Sequence, residues 1–261
     1  MAAVVLALSA HPDDIEFLMA GTLALLARSG CTIHCLTLAD GSCGSTSLDA
    51  AAIAAVRERE CRSAAKHLSA IWHPALTNDL EIFYQPSLLR RVAAVFRSIA
   101  PDILLLHSPQ DYMEDHMNAC RLGVTAAFTR GMPNFITEPA APPVQNPVCV
   151  YHAQPHGNRD QLNQRVQPDF LIAIDSVMEC KSAMLAEHAS QQAWLDQSQS
   201  LSAPVEIMRQ FGEELAEPVE GCRWAEGWRR HNPLGMCEAD ADPLQDRKST
   251  RLNSSHEWIS R

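Results

Sequence analysis

Two short polar clusters, each directly after an apolar run, carry the side chains with which this chain could do chemistry. His11-Pro12-Asp13-Asp14 follows Val4–Ser9, and a stretch from His107 to Asp115-His116 follows Ile103–Leu106. An imidazole and two carboxylates within four residues suit zinc, which takes nitrogen and oxygen ligands; a catalytic site uses three protein ligands and leaves a position for water. His11 and Asp14 can reach one ion from a tight turn. Asp13 then points elsewhere and is left as a base, and His116 completes a set of two imidazoles and one carboxylate. Such an ion lowers the pKa of its water to ~7 and polarises a carbonyl. Asp13 would take the water proton. Iron(II) suits two His and a carboxylate as well as zinc does. Each cluster alone reads as an ordinary helix start, because Asp is common at the N-cap. Their joint occurrence, each at the end of an apolar strand, makes a metal site the better reading.

These clusters need a frame that brings them to one edge. Apolar runs at 4–9, 32–38, 70–73, 103–106, 148–151 and 170–174 have the pattern of buried strands. Between and after them, 15–29, 49–68, 87–99, 116–129, 176–187 and 204–217 read as helices, with Gly30 stopping the first and Pro101 following the third. Residues 132–147 hold five prolines and read as a loop. Alternating strands and helices predict an α/β fold with a parallel sheet covered on both faces. Sites in such sheets form beyond the C-terminal strand ends, which puts 11–14 and 107–116 on the same edge.

Other polar residues have plainer readings. His34 and His73 fall in or beside strands and read as core or cap residues. His107, at a strand end, is a candidate to support the metal from behind. His152 and His156 lie near a strand end within reach of a substrate. Trp224 and Trp228 read as packing. The loop Gly41-Ser-Cys-Gly44 lacks the P-loop lysine and the GxGxxG order, so nucleotide binding is not indicated.

The 261 residues suffice for one sizeable domain, and 46% hydrophobic content supports a packed core. The net charge of −10 argues against nucleic acid or an anionic membrane as partner. The apolar start has no basic n-region, and no stretch approaches the ~18 apolar residues of a membrane span. Nine scattered cysteines without a CxxC pair suit a reducing cytoplasm. Residues 246–256 match the translation of a common sequencing adapter. The expectation is a single domain over 1–245 followed by a non-native tail at 246–261.

Ala10-His-Pro-Asp-Asp14 with a downstream Asp-His resembles the LmbE/PIG-L family of zinc-dependent N-acetylglucosamine deacetylases, over most of residues 3–230. Arg57-x-x-Glu60, Asp79, Ser108-Pro-Gln-Asp-Tyr-Met-Glu-Asp-His116, Glu187-His-Ala-Ser-Gln191 and Ala225-Glu-Gly-Trp-Arg229 resemble further family features in the family's order. The resemblance implies a Rossmann-like three-layer fold with a mostly parallel central sheet. It implies zinc on His11, Asp14 and His116, Asp13 as general base, and Arg57 and Asp79 near the substrate. The implied activity is removal of an N-acetyl or other N-acyl group from an amino sugar such as an N-acetylglucosamine conjugate. The implied partner is that small molecule, and family members often form homo-oligomers. One departure matters: sugar deacetylases of the family often carry His three residues before the metal His, where this chain has Met113. His188 as acid and Tyr112 as oxyanion donor are the candidates for the missing function. An amidase acting on a non-sugar or thiol-conjugate amide, and a non-catalytic metal-stabilised binding protein, are the alternatives.

Overall fold

The computed structural model describes residues 2–191 and 204–245, with the backbone of 258–260. The chain runs β1 (Val4–Ser9), α1 (Asp14–Leu18), α2 (Ala20–Arg28), β2 (Thr32–Thr37), α3 (Ala50–Lys66), β3 (Ile71–His73), α4 (Pro86–Ile99) and β4 (Ile103–Leu106). It continues with α5 (Glu114–Thr129), β5 (Cys149–Ala153), β6 (Phe170–Ala173), α6 (Met178–Ala186), α7 (Pro204–Ala216), β7 (Ala225–Arg230) and β8 (Trp258–Ser260).

Period-two alternation on β1 builds the layers. Val5 and Ala7 enter one core with Leu23, Leu26, Ile103, Leu105, Tyr151 and Trp228. Leu6 and Leu8 enter the other with Val92, Phe96, Leu122 and Leu106. A strand buried on both faces needs apolar side chains at every position, which is why these strands read as continuous apolar runs. Helices α1, α2, α6 and α7 contribute to the first face and α4 and α5 to the second. The sheet order is β3-β2-β1-β4-β5-β7-β6-β8. β1 pairs in parallel with β2 and β4, so the loops that follow β1 and β4 leave side by side at one edge.

Three features differ from the sequence reading. The helix expected over 15–29 breaks at Met19 into α1 and α2. The cause is remote: the Glu226 carboxylate accepts hydrogen bonds from Gly21 N and Thr22 N, the open amides at the start of α2. Segment 225–230, read as a motif, is a strand inserted antiparallel between β5 and β6. The tail supplies an edge strand, β8, antiparallel to β6; the rest of 246–261 lies outside the described residues. Among the described residues no helix is long and apolar enough to cross a membrane.

Candidate metal centre

The turn after β1 closes on itself. His11 N donates to Asp14 Oδ2 at 2.6 Å, and Asp14 N donates to His11 O at 3.3 Å. Asp13 is the residue that bends, at φ 93° and ψ −23°, a left-handed conformation that Asp tolerates better than most side chains. It holds the N-cap position of α1 but makes no capping hydrogen bond, so its carboxylate is free for other use.

Next door, β4 delivers His107 and α5 delivers His116. Donor atoms of His11, Asp14 and His116 lie within 4.8 Å of one another. Asp14 Oδ1 is 3.4 Å from His116 Nε2, and Asp14 Oδ2 is 3.6 Å from His11 Nδ1. Each imidazole holds a carboxylate on its far nitrogen: His11 Nε2 to Asp115 at 3.0 Å, and His116 Nδ1 to Asp111 at 2.9 Å. That pattern fixes the ring and leaves the near nitrogen for a metal. His107, Asp111 and His116 also cluster, but His107 and Asp111 are fully buried beneath the site. His107 Nε2 is 3.0 Å from Ala10 N and 3.2 Å from Asp14, and its ring stacks on His116 at 4.2 Å.

The electrostatics fit a bound cation. Burial depresses the His11 pKa, yet the hydrogen bonds to Asp115 and Asp14 prevail and raise it to about 9. Burial likewise opposes protonation of His116, and the Asp14 charge with the Asp111 hydrogen bond raises it to about 10. Asp14 is itself held well below the usual carboxylate range: burial opposes this, but the charges of His116 and His107 win. A pocket that pulls protons onto two imidazoles calls for positive charge, which a divalent ion with nitrogen and oxygen ligands supplies.

A cavity of about 320 Å³ opens over this floor, lined by His11, Asp14 and His116 together with Asp13, Tyr112 and Met113. Asp13 Oδ2 lies 3.4 Å from Arg57 Nη2. Burial raises the Asp13 pKa to about 6 against the opposing charge of Arg57. Arg57 also donates to Pro12 O at 2.9 Å. A Cβ at Gly41 would lie 2.4 Å from Arg57 Cδ, so the loop after β2 can pass over the arginine only with glycine there. Asp79 lines the cavity too, and its carboxylate accepts from Gly41 N and Cys43 N, both at 2.9 Å. Arg57 and Asp79 thus border the cavity while holding the loops around it. Tyr112, 58% exposed, stands edge-on to His116 at 5.6 Å.

His188 lands elsewhere than expected. The segment after α6 folds under the site and sets His188 3.3 Å from Glu16, 3% exposed and off the cavity wall. There its positive charge stabilises the Asp13 carboxylate from behind. His152 is buried too, bonded to His107 O and His231, whereas His156 lines the cavity. His34 and His73 pair with each other at 2.8 Å, and Trp228 is a core residue. Asp111 and Asp115, which hold the far nitrogens of His116 and His11, were missed. Their signal was carboxylates five residues and one residue before His116.

Comparison with known proteins finds deacetylases and hydratases among the chain's relatives. Over 194 residues the chain is 29% identical to diacetylchitobiose deacetylase of Thermococcus kodakarensis, covering 72% of this chain and 69% of that protein. Over 195 residues it is 29% identical to 4-oxalmesaconate hydratase of Pseudomonas putida, covering 72% and 73%. Among solved structures, N,N'-diacetylchitobiose deacetylase of Pyrococcus horikoshii superposes with a TM-score of 0.72 at 23% identity, covering 89% of this chain and 85% of that one. The 4-carboxy-2-hydroxymuconate hydratase of Pseudomonas putida gives 0.71 at 23%, covering 88% and 96%. Residues 6–128, from β1 through nearly all of α5, match the family described as PIG-L: GlcNAc-PI de-N-acetylase.

Proposed function

We propose that the chain is a metal-dependent hydrolase that removes an N-acetyl group from an amino sugar of the N-acetylglucosamine type, with residues 1–245 as its catalytic domain. The observation that carries the reading is the cluster of His11, Asp14 and His116 on the cavity floor, with an uncapped carboxylate, Asp13, beside it. The deacetylase relatives supply the substrate class.

His11, Asp14 and His116 would hold zinc, or iron(II) in its place. When bound, that ion supplies a Lewis acid for the acyl carbonyl and a water acidified to near neutrality. Asp13 accepts the water proton at its carboxylate. With a pKa raised to about 6, it releases that proton readily to the departing nitrogen as the C–N bond breaks. His188 and Arg57 steady the Asp13 charge from behind. Arg57 and Asp79 shape the wall that meets the sugar. Tyr112 places a phenol at the mouth near His116, in reach of the acyl oxygen.

The test is metal content together with acetate release from N-acetylglucosamine and N,N'-diacetylchitobiose, with His116→Ala and Asp13→Ala as controls. About one metal per chain, lost only in the first variant, with acetate release lost in both, is the expected result. Met113 favours a second reading, an amidase on a non-sugar amide, and the hydratase relative adds hydration of 4-oxalmesaconate. Metal bound with no acetate from either sugar, and turnover of one of those substrates, would select between them. Ligand binding undiminished in Asp13→Ala and no turnover in the parent would leave a binding protein.

A further inference from the structure

The cavity holds one imidazole that the metal does not need. His156 follows β5 and lines the same space as His11 and His116, and neither of its ring nitrogens has a hydrogen-bond partner among the described residues. We propose that His156 donates a ring N–H to the acyl oxygen as that oxygen takes on negative charge, filling the role that Met113 cannot. The proposal rests on the deacetylase reading above.

Sheet topology sets the geometry. The metal ligands follow the central neighbours β1 and β4. On the flank of β2 and β3 lie Arg57, on the helix after β2, and Asp79, in the loop after β3; Asp13 leans toward that arginine. His156 arrives from the opposite flank, beyond β4. A base on one side of the metal and a hydrogen-bond donor on the other is what addition of water to a carbonyl requires. Water is deprotonated on the first side and the oxyanion received on the second.

The ring is held in place in advance. Phe17 packs on it with centroids 4.8 Å apart, Phe211 stands edge-on at 5.1 Å and Tyr112 lies at 5.7 Å. The turn beneath it is locked by Asn158, whose amide nitrogen reaches Phe211 O at 3.3 Å and Glu214 Oε2 at 3.1 Å. Burial among these neighbours lowers the His156 pKa, which favours the neutral imidazole. A neutral imidazole polarises a carbonyl without repelling a metal cation.

The step balances without a further reagent. The water oxygen bonds to the acyl carbon and its proton goes to Asp13. The carbonyl π pair moves to the acyl oxygen, where the His156 N–H meets it. When the carbonyl re-forms, the C–N bond breaks, and the nitrogen keeps that pair and takes the proton from Asp13.

The experiment uses the metal-loaded enzyme and its His156→Ala and His156→Gln variants. Metal content, kcat and KM for the best acetamide substrate are measured, with affinity for its methylphosphonamide analogue, a tetrahedral mimic. His156→Ala is expected to lower kcat by about 10²–10³-fold, the usual loss of one oxyanion donor. Metal content and KM stay unchanged, and the analogue weakens by a similar factor. Gln, which keeps an N–H, recovers part of the loss. Unchanged kcat, an effect confined to KM, or loss of metal overturns the proposal while the deacetylase reading stands. A parent enzyme that binds metal but releases acetate from no acetamide overturns both.

Discussion

Two carboxylate pockets in this molecule are both withdrawn from bulk water, and they differ in whether their charges are satisfied. Glu226, on β7, accepts from Gly21 N, Thr22 N, Thr22 Oγ1 and Lys181 Nζ. Thr22 Oγ1 in turn accepts from Trp228 Nε1. The valences of this carboxylate are filled by the protein, and the arrangement joins α2, α6 and β7. At the mouth of β1 and β4, by contrast, Asp13 has one cation at 3.4 Å and no cap, and Asp14 is ringed by imidazoles drawn toward protonation. A buried charge that the fold satisfies is structural. One that the fold leaves open is reserved for something from outside, which in the proposed function is a metal and a substrate.

The comparison breaks if either pocket behaves like the other. Replacing Asp14 or His116 with Ala is expected to remove the metal and lower activity by ~10³-fold or more, since a bound ion contributes several kcal/mol to the transition state and each 1.4 kcal/mol is tenfold. Elemental analysis beside acetate release checks it. Asp13→Asn should lower kcat by about 10²–10⁴-fold with the metal in place, the span of general-base effects. Glu226→Ala should instead cost about 3–5 kcal/mol of stability, because it strands the buried Lys181. Urea unfolding reads that loss, and the metal stoichiometry of the protein still folded stays at the parental value. Asp111→Asn or Asp115→Asn should weaken metal binding by about 10–100-fold, the usual effect of removing a ligand's support, measured by chelator competition. The smallest effect is in pH. Asp13 must be ionised to accept a proton and its pKa is raised to about 6, so kcat/KM should fall about tenfold per unit as pH drops below that point. A rate that stays flat down to pH 4.5 would remove Asp13 from the role of base.

What could be read from the sequence followed from locality. The four-residue His11–Asp14 turn, the adjacent Asp115-His116 pair and the unbroken apolar strands each put their whole signal inside a short window, and the structure assembles them as expected. The features missed depend on residues far apart in the chain. The break at Met19 is set by a carboxylate more than two hundred residues away. β7 went unread because its buried positions include Glu226 and Gly227, which do not look like a strand core until Lys181 and the start of α2 are beside them. His188 was expected to face substrate because its helix folds over the site. The segment after α6 passes beneath the site instead, and Glu16 on α1 holds the ring away from the cavity. His156 was one of two histidines near a strand end; His152 lies inside β5 and is buried, whereas His156 follows the strand and lines the cavity.

The left-handed backbone at Asp13 bears on how this protein can be improved in the laboratory. A non-glycine residue held there stores about 1–3 kcal/mol of strain. Glycine would relax the turn, as would asparagine in part, and either exchange should raise the melting temperature. Both remove the one carboxylate that the proposed mechanism cannot do without. Selection for heat resistance alone would therefore drift toward an inert protein at this codon. A library built for thermostability should hold position 13 fixed and seek its gains on the far side of the sheet.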